Sequence, residues 1–437
     1  MIGNLRSWHR TGPKISAAVV ILWGLTGFLH PIMSWTAPRA AIQMPPEPVV
    51  ETEGALAPSA FAALSGEARH VRLAPSSTGA YWSLQIAPGA PRVAVDAVTG
   101  EDATDALYAH SVALARHYAD LPEAEVLSVR QITRFSMDYA PINRLLPVSE
   151  VVFDTPDRLA VYVDTGSDRL AAVSNTQRRW MLRIFQSVHT LAPLKPVEPL
   201  RLLVITGLTL AFLSTVIAGI SMLWGAKGRK LRRWHRWAGA VLALPALAFP
   251  ASGLFHAWVN SPLFKAADPV AEIFEIAALT ALPSGRFTHL AASAGDDGPL
   301  WRGAAGREAR YWDASGGALP LTDMDRARQL AGTEGEVTLQ ARFDGDYGFA
   351  NKRLPVWRVE TDDAPVFVDP VDGLIASRTT GPVAAIERWT FNRLHKWNFA
   401  DPLGRYVRDG AMMATVLALI ALALTGLMLA RRRRRKS

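Results

Sequence analysis

Six of the ten histidines recur in pairs along the chain, and their spacing points to ligation of a metal or a haem. His9 stands between Trp8 and Arg10; His235, 226 residues later, stands between Trp234 and Arg236. His30 closes Thr26-Gly27-Phe28-Leu29-His30, and His256, again 226 residues on, closes Ser252-Gly253-Leu254-Phe255-His256. His189 and His395 end the matching segments 185–189 and 391–395, 206 residues apart. A neutral imidazole offers one lone pair to a metal and its other nitrogen to a hydrogen-bond acceptor. Six such groups at repeat-equivalent places suit haem b or a transition metal. Any one of them alone reads as an interfacial residue, because amphipathic rings collect at membrane edges.

The elements that must position them are apolar. Four blocks, at roughly 15–35, 202–224, 238–259 and 411–430, are nearly free of charge. Each approaches the ~20 residues a helix needs to cross ~30 Å of hydrocarbon, so four transmembrane helices are expected. His9 and His30 bracket the first block, and His235 and His256 the third. Twenty-one residues of helix span about 31 Å and bring the two rings within about 60° around the axis. Gly27 and Gly253 lie three residues before His30 and His256, on the same helix face, leaving room for a porphyrin edge or for close helix packing. Thr26 and Ser252 are placed to donate a hydrogen bond or to bond back to their own helix. A signal peptide is the other reading of the first block; the same pattern in mid-chain argues against it.

Basic residues set an orientation. Arg6, Arg10 and Lys14 precede the first block; Lys227, Arg229, Lys230, Arg232, Arg233 and Arg236 lie between the second and third; Arg431 to Lys436 follow the fourth. These edges hold 15 of the 47 basic residues and no acidic one, leaving 32 basic against 39 acidic elsewhere. The net charge of +8 is therefore a membrane-edge signal, not a nucleic-acid-binding one. It puts both termini and the middle basic loop in the cytoplasm. With no cysteine, disulfides, iron–sulfur clusters, c-type haem attachment and thiol catalysis are excluded.

The two long segments between blocks read as mixed α+β. Strands are expected at 93–96, 148–153 and 159–163, a helix at 103–119, and an amphipathic surface helix at 177–192. Pro31 is expected to stop the first helix. The second half repeats the first: Asn351 to Val356 echoes Asn143 to Val148 at an offset of 208, and Val368-Asp369 echoes Val163-Asp164 at 205. Such parallel repeats place an axis along the membrane normal. His70, His110, His117 and His289 show no repeat partner by spacing and read as surface or domain-core residues, although His110 and His117 are seven apart on one helix. Nicotinamide, nucleotide, zinc-protease and serine-hydrolase motifs are absent, so electrons for any reduction must come from a partner or a lipid-soluble donor.

The chain resembles the PepSY-associated transmembrane family of bacteria. The likeness rests on Trp8-His9-Arg10 and Trp234-His235-Arg236, on the two segments closing at His30 and His256, and on the Asn-x-x-Leu-Pro-Val segments. Val368 to Gly373, and Leu394-His395-Lys396-Trp397 leading to Asp401-Pro402-Leu403-Gly404, complete it. It covers nearly the whole chain. Residues 164–169 depart from the tidier Asp-Pro-x-Asp-Gly turn of the second half. The resemblance implies an inner-membrane protein linked to iron uptake and similar to a di-haem siderophore reductase. His9, His30, His189, His235, His256 and His395 then become candidate axial ligands for two haems b.

The expected fold is an α-helical membrane protein with four transmembrane helices and two extracytoplasmic α+β, PepSY-like regions, built as a duplicated unit. Its parts are a cytoplasmic arm and first helix over 1–37, a first periplasmic domain over 38–176, and a surface helix with linker over 177–200. A second helix at 201–225, a basic loop at 226–236 and a third helix at 237–259 follow. A second periplasmic domain at 260–382, a surface helix at 383–408, a fourth helix at 409–430 and a basic tail at 431–437 complete it. The expected function is a haem-dependent oxidoreductase passing electrons across the inner membrane to a periplasmic ferric siderophore. The donor would be a quinol or a cytoplasmic or membrane reductase, entering at His9 and His235. By repeat symmetry the first expected pairings are His9 with His235 and His30 with His256. The alternative is a cofactor-free PepSY membrane protein that binds or regulates a peptidase or other partner.

Overall fold

The computed structural model describes residue 9 and residues 13–223, 230–265, 270–306, 308–378 and 381–434. Arg6, Trp8, Arg10, Lys227, Arg229, Arg435 and Lys436, invoked above, lie outside them. The chain divides into two compact units. Met1–Thr36, Trp180–Ala267 and Gly381–Ser437 form a helical unit; Ala37–Arg179 and Asp268–Thr380 form a unit of sheets.

The expected four-helix membrane architecture with two separate α+β regions is overturned on both counts. Among the described residues three helices are long and apolar enough to cross a membrane, in Lys14–Thr36, Ala192–Ile220 and Arg405–Arg431. The third apolar block is instead two helices, Lys230–Val241 and Ala243–Val259, bent by 52°. Hydropathy runs through this break without notice, but Pro245 does not. Its ring crowds the carbonyl of Val241, four residues back, and it has no N–H to continue the ladder. The described part of the basic middle loop, Lys230–Arg236, is helical. Pro31 does not stop the first helix, which runs over Pro13–Thr36. One missing N–H near a helix end is tolerated where neighbouring helices pack around it.

The second correction concerns the sheets. The two halves of the sheet unit share one seven-stranded sheet, in the order Ala318–Leu319, Glu308–Asp313, Gly298–Ala305, His289–Gly295, His70–Ser76, Gly79–Gln85, Val93–Asp96. At its centre the two halves pair antiparallel, with Leu290 opposite Leu73, Ala291 opposite Arg72 and Ala292 opposite Val71. A local two-fold relation therefore passes through Arg72 and Ala291. His70 and His289 open these equivalent strands, so they are repeat partners after all, at an offset of 219. Trp82 and Trp301 share that offset. Both are fully buried, their rings 5.7 Å apart, each indole donating to a carbonyl, of Leu56 and of Ala281.

Each half adds a helix and a four-stranded antiparallel sheet. Thr104–Ala119 buries Leu114, Ala115 and Tyr118 against Val151, Phe153, Val161 and Val163. Asp323–Ala331 buries Ala327 against Val359, Val366 and Val368. The expected strand at 148–153 is found as Val148–Phe153, and that at 93–96 as Val93–Asp96.

The departure at 164–169 has a use. Asp168 and Gly373 occupy the same turn position, at φ of 55° and 61°. A side chain at 373 would meet Ser293 Cβ at 2.4 Å, so glycine is required there. In the first half Asp168 fills the place, and its carboxylate takes Arg72 at 2.6 and 2.5 Å and His110 at 3.0 Å. Arg169, beside it, pairs with Asp369 and Asp372 of the second half, and Arg353 adds a 2.5 Å contact to Asp372. Removing one partner of such a buried pair typically costs about 3–5 kcal/mol.

Candidate functional site in the helical unit

The repeated histidines gather at two levels of the helical unit. At one level His9 and His235 face each other, ring centroids 6.5 Å apart. His9 Nδ1 donates to the Thr215 carbonyl at 3.0 Å, since that oxygen can only accept. His235 Nδ1 meets Thr425 Oγ1 at 3.0 Å, and the Thr425 hydroxyl donates in turn to the Leu422 carbonyl. Glycines make room behind each ring. A side chain at Gly219 would sit 3.1 Å from His9 Cε1, and one at Gly426 would sit 3.2 Å from His235 Cε1.

The other level holds His189 and His395, near enough for charge on His189 to act on His395, with His30 beside His189 and His256 beside His395. His395 Nδ1 donates to the Phe249 carbonyl at 2.9 Å and lies 3.4 Å from Ser252 Oγ. His189 Nδ1 meets Thr26 Oγ1 at 3.2 Å, and the Thr26 hydroxyl donates to the Leu22 carbonyl. Gly253 and Gly27 back these two rings, at 3.1 and 3.7 Å. So the glycines expected to serve His30 and His256 serve His395 and His189 instead. Thr26 and Ser252 do both things foreseen for them, bonding back to their own helix and meeting an imidazole.

Local backbone delivers these rings. Thr176–Ile184 and Gly381–Thr390 are α-helical, and each widens into a π turn, Phe185–His189 and Phe391–His395. Such turns are frequent at functional sites because one extra residue rotates the side chains that follow. Arg201 anchors the end of the first turn. It donates to the Thr190 carbonyl at 3.1 Å while held by Glu198 at 2.7 and 2.5 Å. The expected surface helices thus end inside the helical unit.

In all four rings the Nδ1 proton is committed, so Nε2 carries the lone pair. Burial lowers His189 to about 4 and His395 to about 3, keeping both neutral at ordinary pH. The His9 and His235 rings, centroids 6.5 Å apart and planes inclined by 57°, would be the residues to hold a haem iron through Nε2. A bare metal ion fits less well. Among the described residues no three His, Asp or Glu side chains converge as its ligands.

The remaining two histidines stand apart. His30 tilts by 54° against Phe185 at 5.9 Å, and His256 stacks on Phe391 at 3.7 Å. Neither joins a facing pair, and His256 Nδ1 donates to Glu387. The first expected pairing, His30 with His256, makes no ring contact among the described residues; each of these rings lies against a phenylalanine instead. Of the four histidines read as core or surface, His110 is buried, takes the Tyr81 hydroxyl at 2.8 Å and pairs with Asp168. His117 meets the Met44 carbonyl at 2.9 Å, so the two hold separate partners and no common ion.

The levels lie at opposite ends of the bundle. On the last span the lower level sits at Thr425–Gly426, whereas Gly24, beside the upper level, packs on Val416 and Ile420. Five to ten residues of helix correspond to about 8–15 Å along the axis. The lower level shares its end of the unit with Lys14, Lys230, Arg232, Arg233, Arg236 and Arg431. No protein-family model, curated protein or solved structure matches the chain.

Proposed function

We propose that the protein is a di-haem b electron carrier of the bacterial inner membrane that reduces a periplasmic ferric siderophore. The observation that supports this best is the duplicated pair of histidine levels, each ring fixed through Nδ1 and backed by a glycine. His9 and His235 would hold one haem, and His189 and His395 the other. Haem b supplies one-electron transfer when bound. The chain's own residues set the conditions for it. Thr215, Thr425, Thr26 and Phe249 fix the tautomer and orientation of each imidazole, as partners of metal-bound histidines do. The apolar helices exclude water from both levels.

The sidedness follows from charge. Lys14, Lys230, Arg232, Arg233, Arg236 and Arg431 flank the His9–His235 level, and basic residues at membrane edges favour the cytoplasm. Electrons from a quinol or a reductase would enter there and leave at the His189–His395 level. Reduction helps release iron because hard oxygen donors hold Fe(II) less well than Fe(III).

The test is a set of single replacements with haem counted per chain. His9→Ala or His235→Ala should lose one haem, His189→Ala or His395→Ala the other, and His117→Ala neither. Retention of two haems in all four ligand variants would refute the assignment.

A further inference from the structure

The two upper-level histidines that do not face a partner are not equivalent, and the difference marks one of them. In the second half three rings stack in sequence. His395 lies 4.8 Å from Phe391 at 15°, and Phe391 lies 3.7 Å from His256 at 11°. In the first half Phe185 stacks on His189 at 4.7 Å and 15°, but His30 is tilted away at 54° and 5.9 Å. The His256 ring is held in register by Glu387, one turn before Phe391 on the same helix. The repeat-equivalent residue in the first half is Met181, which offers no carboxylate. The Asn260 amide donates to the His256 carbonyl at 3.1 Å. The His256 side chain is 39 % exposed and Glu387 12 %. A near-parallel stack thus runs from a buried candidate ligand to an exposed imidazole beside an anion, in one half only.

We propose that the His256–Glu387 pair is the docking point for the electron acceptor, a neutral or cationic ferric chelate, and that Phe391 and His256 form the path to it. This rests on the haem reading above. With haem held at His189 and His395, one electron would pass from it to the chelate, taking Fe(III) to Fe(II); no bond to the protein would form and no proton would move within it. The stack shortens the gap the electron must cross. Glu387 is set against the Lys396 ammonium, which lies 4.7 Å over the Phe391 ring, and the carboxylate held at His256 is what disfavours an anionic acceptor there.

The test uses the full-length haem-loaded protein, reduced and then mixed with a cationic ferric trihydroxamate or with anionic ferricyanide. His256→Ala should slow reoxidation by the trihydroxamate about tenfold or more, with two haems retained and an unchanged spectrum. His30→Ala should slow it less. Glu387→Gln should weaken binding of the gallium(III) trihydroxamate, which accepts no electron, and shift preference toward ferricyanide; Met181→Glu should not strengthen it. Loss of a haem in His256→Ala, an equal or larger effect from His30→Ala, or unchanged reoxidation and gallium binding would each overturn the proposal. Haem bound normally with His256→Ala inert leaves the haem reading standing and removes only this one. A protein without haem removes both.

Discussion

The orientation of a buried imidazole is decided by the groups around it. Here each ring has a proton acceptor on one side and a glycine behind it, and the glycines give a direct handle. Gly426→Val should push His235 off its position and cost the lower haem while sparing the upper. Gly253→Val should do the reverse through His395. Haem content per chain, with size-exclusion behaviour as a fold control, reads both. Retention of full haem in each would mean the rings have slack that the 3.1–3.2 Å contacts deny. The histidines themselves were legible in the sequence, through pairing at constant offsets. Their partners were not, because Thr215, Gly219, Thr425 and Gly426 lie on helices that carry no histidine. One signal was present: Gly219 and Gly426 are 207 residues apart, close to the 206 that relates His189 to His395.

At the level of elements, local chemistry governs where helices start and break. Thr322 caps Asp323–Ala331 through a reciprocal box with Asp325, at 3.3 and 3.0 Å. Thr322→Ala should lower unfolding stability by about 1 kcal/mol, followed by fluorescence of the buried Trp82 and Trp301. No change in midpoint would mean the helix is held by Ala327 packing alone. Strands such as Val148–Phe153 were readable because alternation and β-branching act locally. The bend before Ala243 was not, because a hydropathy average treats Pro245 as one more apolar residue. The shared central sheet was also hidden. Its repeat offset of 219 falls between the 226 of the apolar helices and the 206 of the π turns, so loop deletions had blurred the equivalence of His70 and His289.

For the whole molecule, the sheet unit stores pH sensitivity. Burial lowers His70 to about 3 and pushes His289 well down. A histidine whose folded pKa lies below its unfolded one leaves the unfolded chain binding more protons. Its neutral form therefore fits the fold above about pH 6.5, and stability falls as pH drops from there toward 3. Burial raises Asp372 to about 6, which works in the opposite sense between pH 6 and 4. The two histidines outweigh this one carboxyl, so the thermal midpoint should fall between pH 7 and 5. His70→Asn should flatten the decline; an unchanged slope would contradict it.

An absorption spectrum of the purified full-length protein from haem-replete cells, oxidised and then reduced, tests the haem assignment most directly. The account predicts a b-type Soret band that shifts on reduction, with about two haems per chain by pyridine haemochrome. A colourless protein would contradict it and leave the paired histidines as packing residues of a cofactor-free membrane protein.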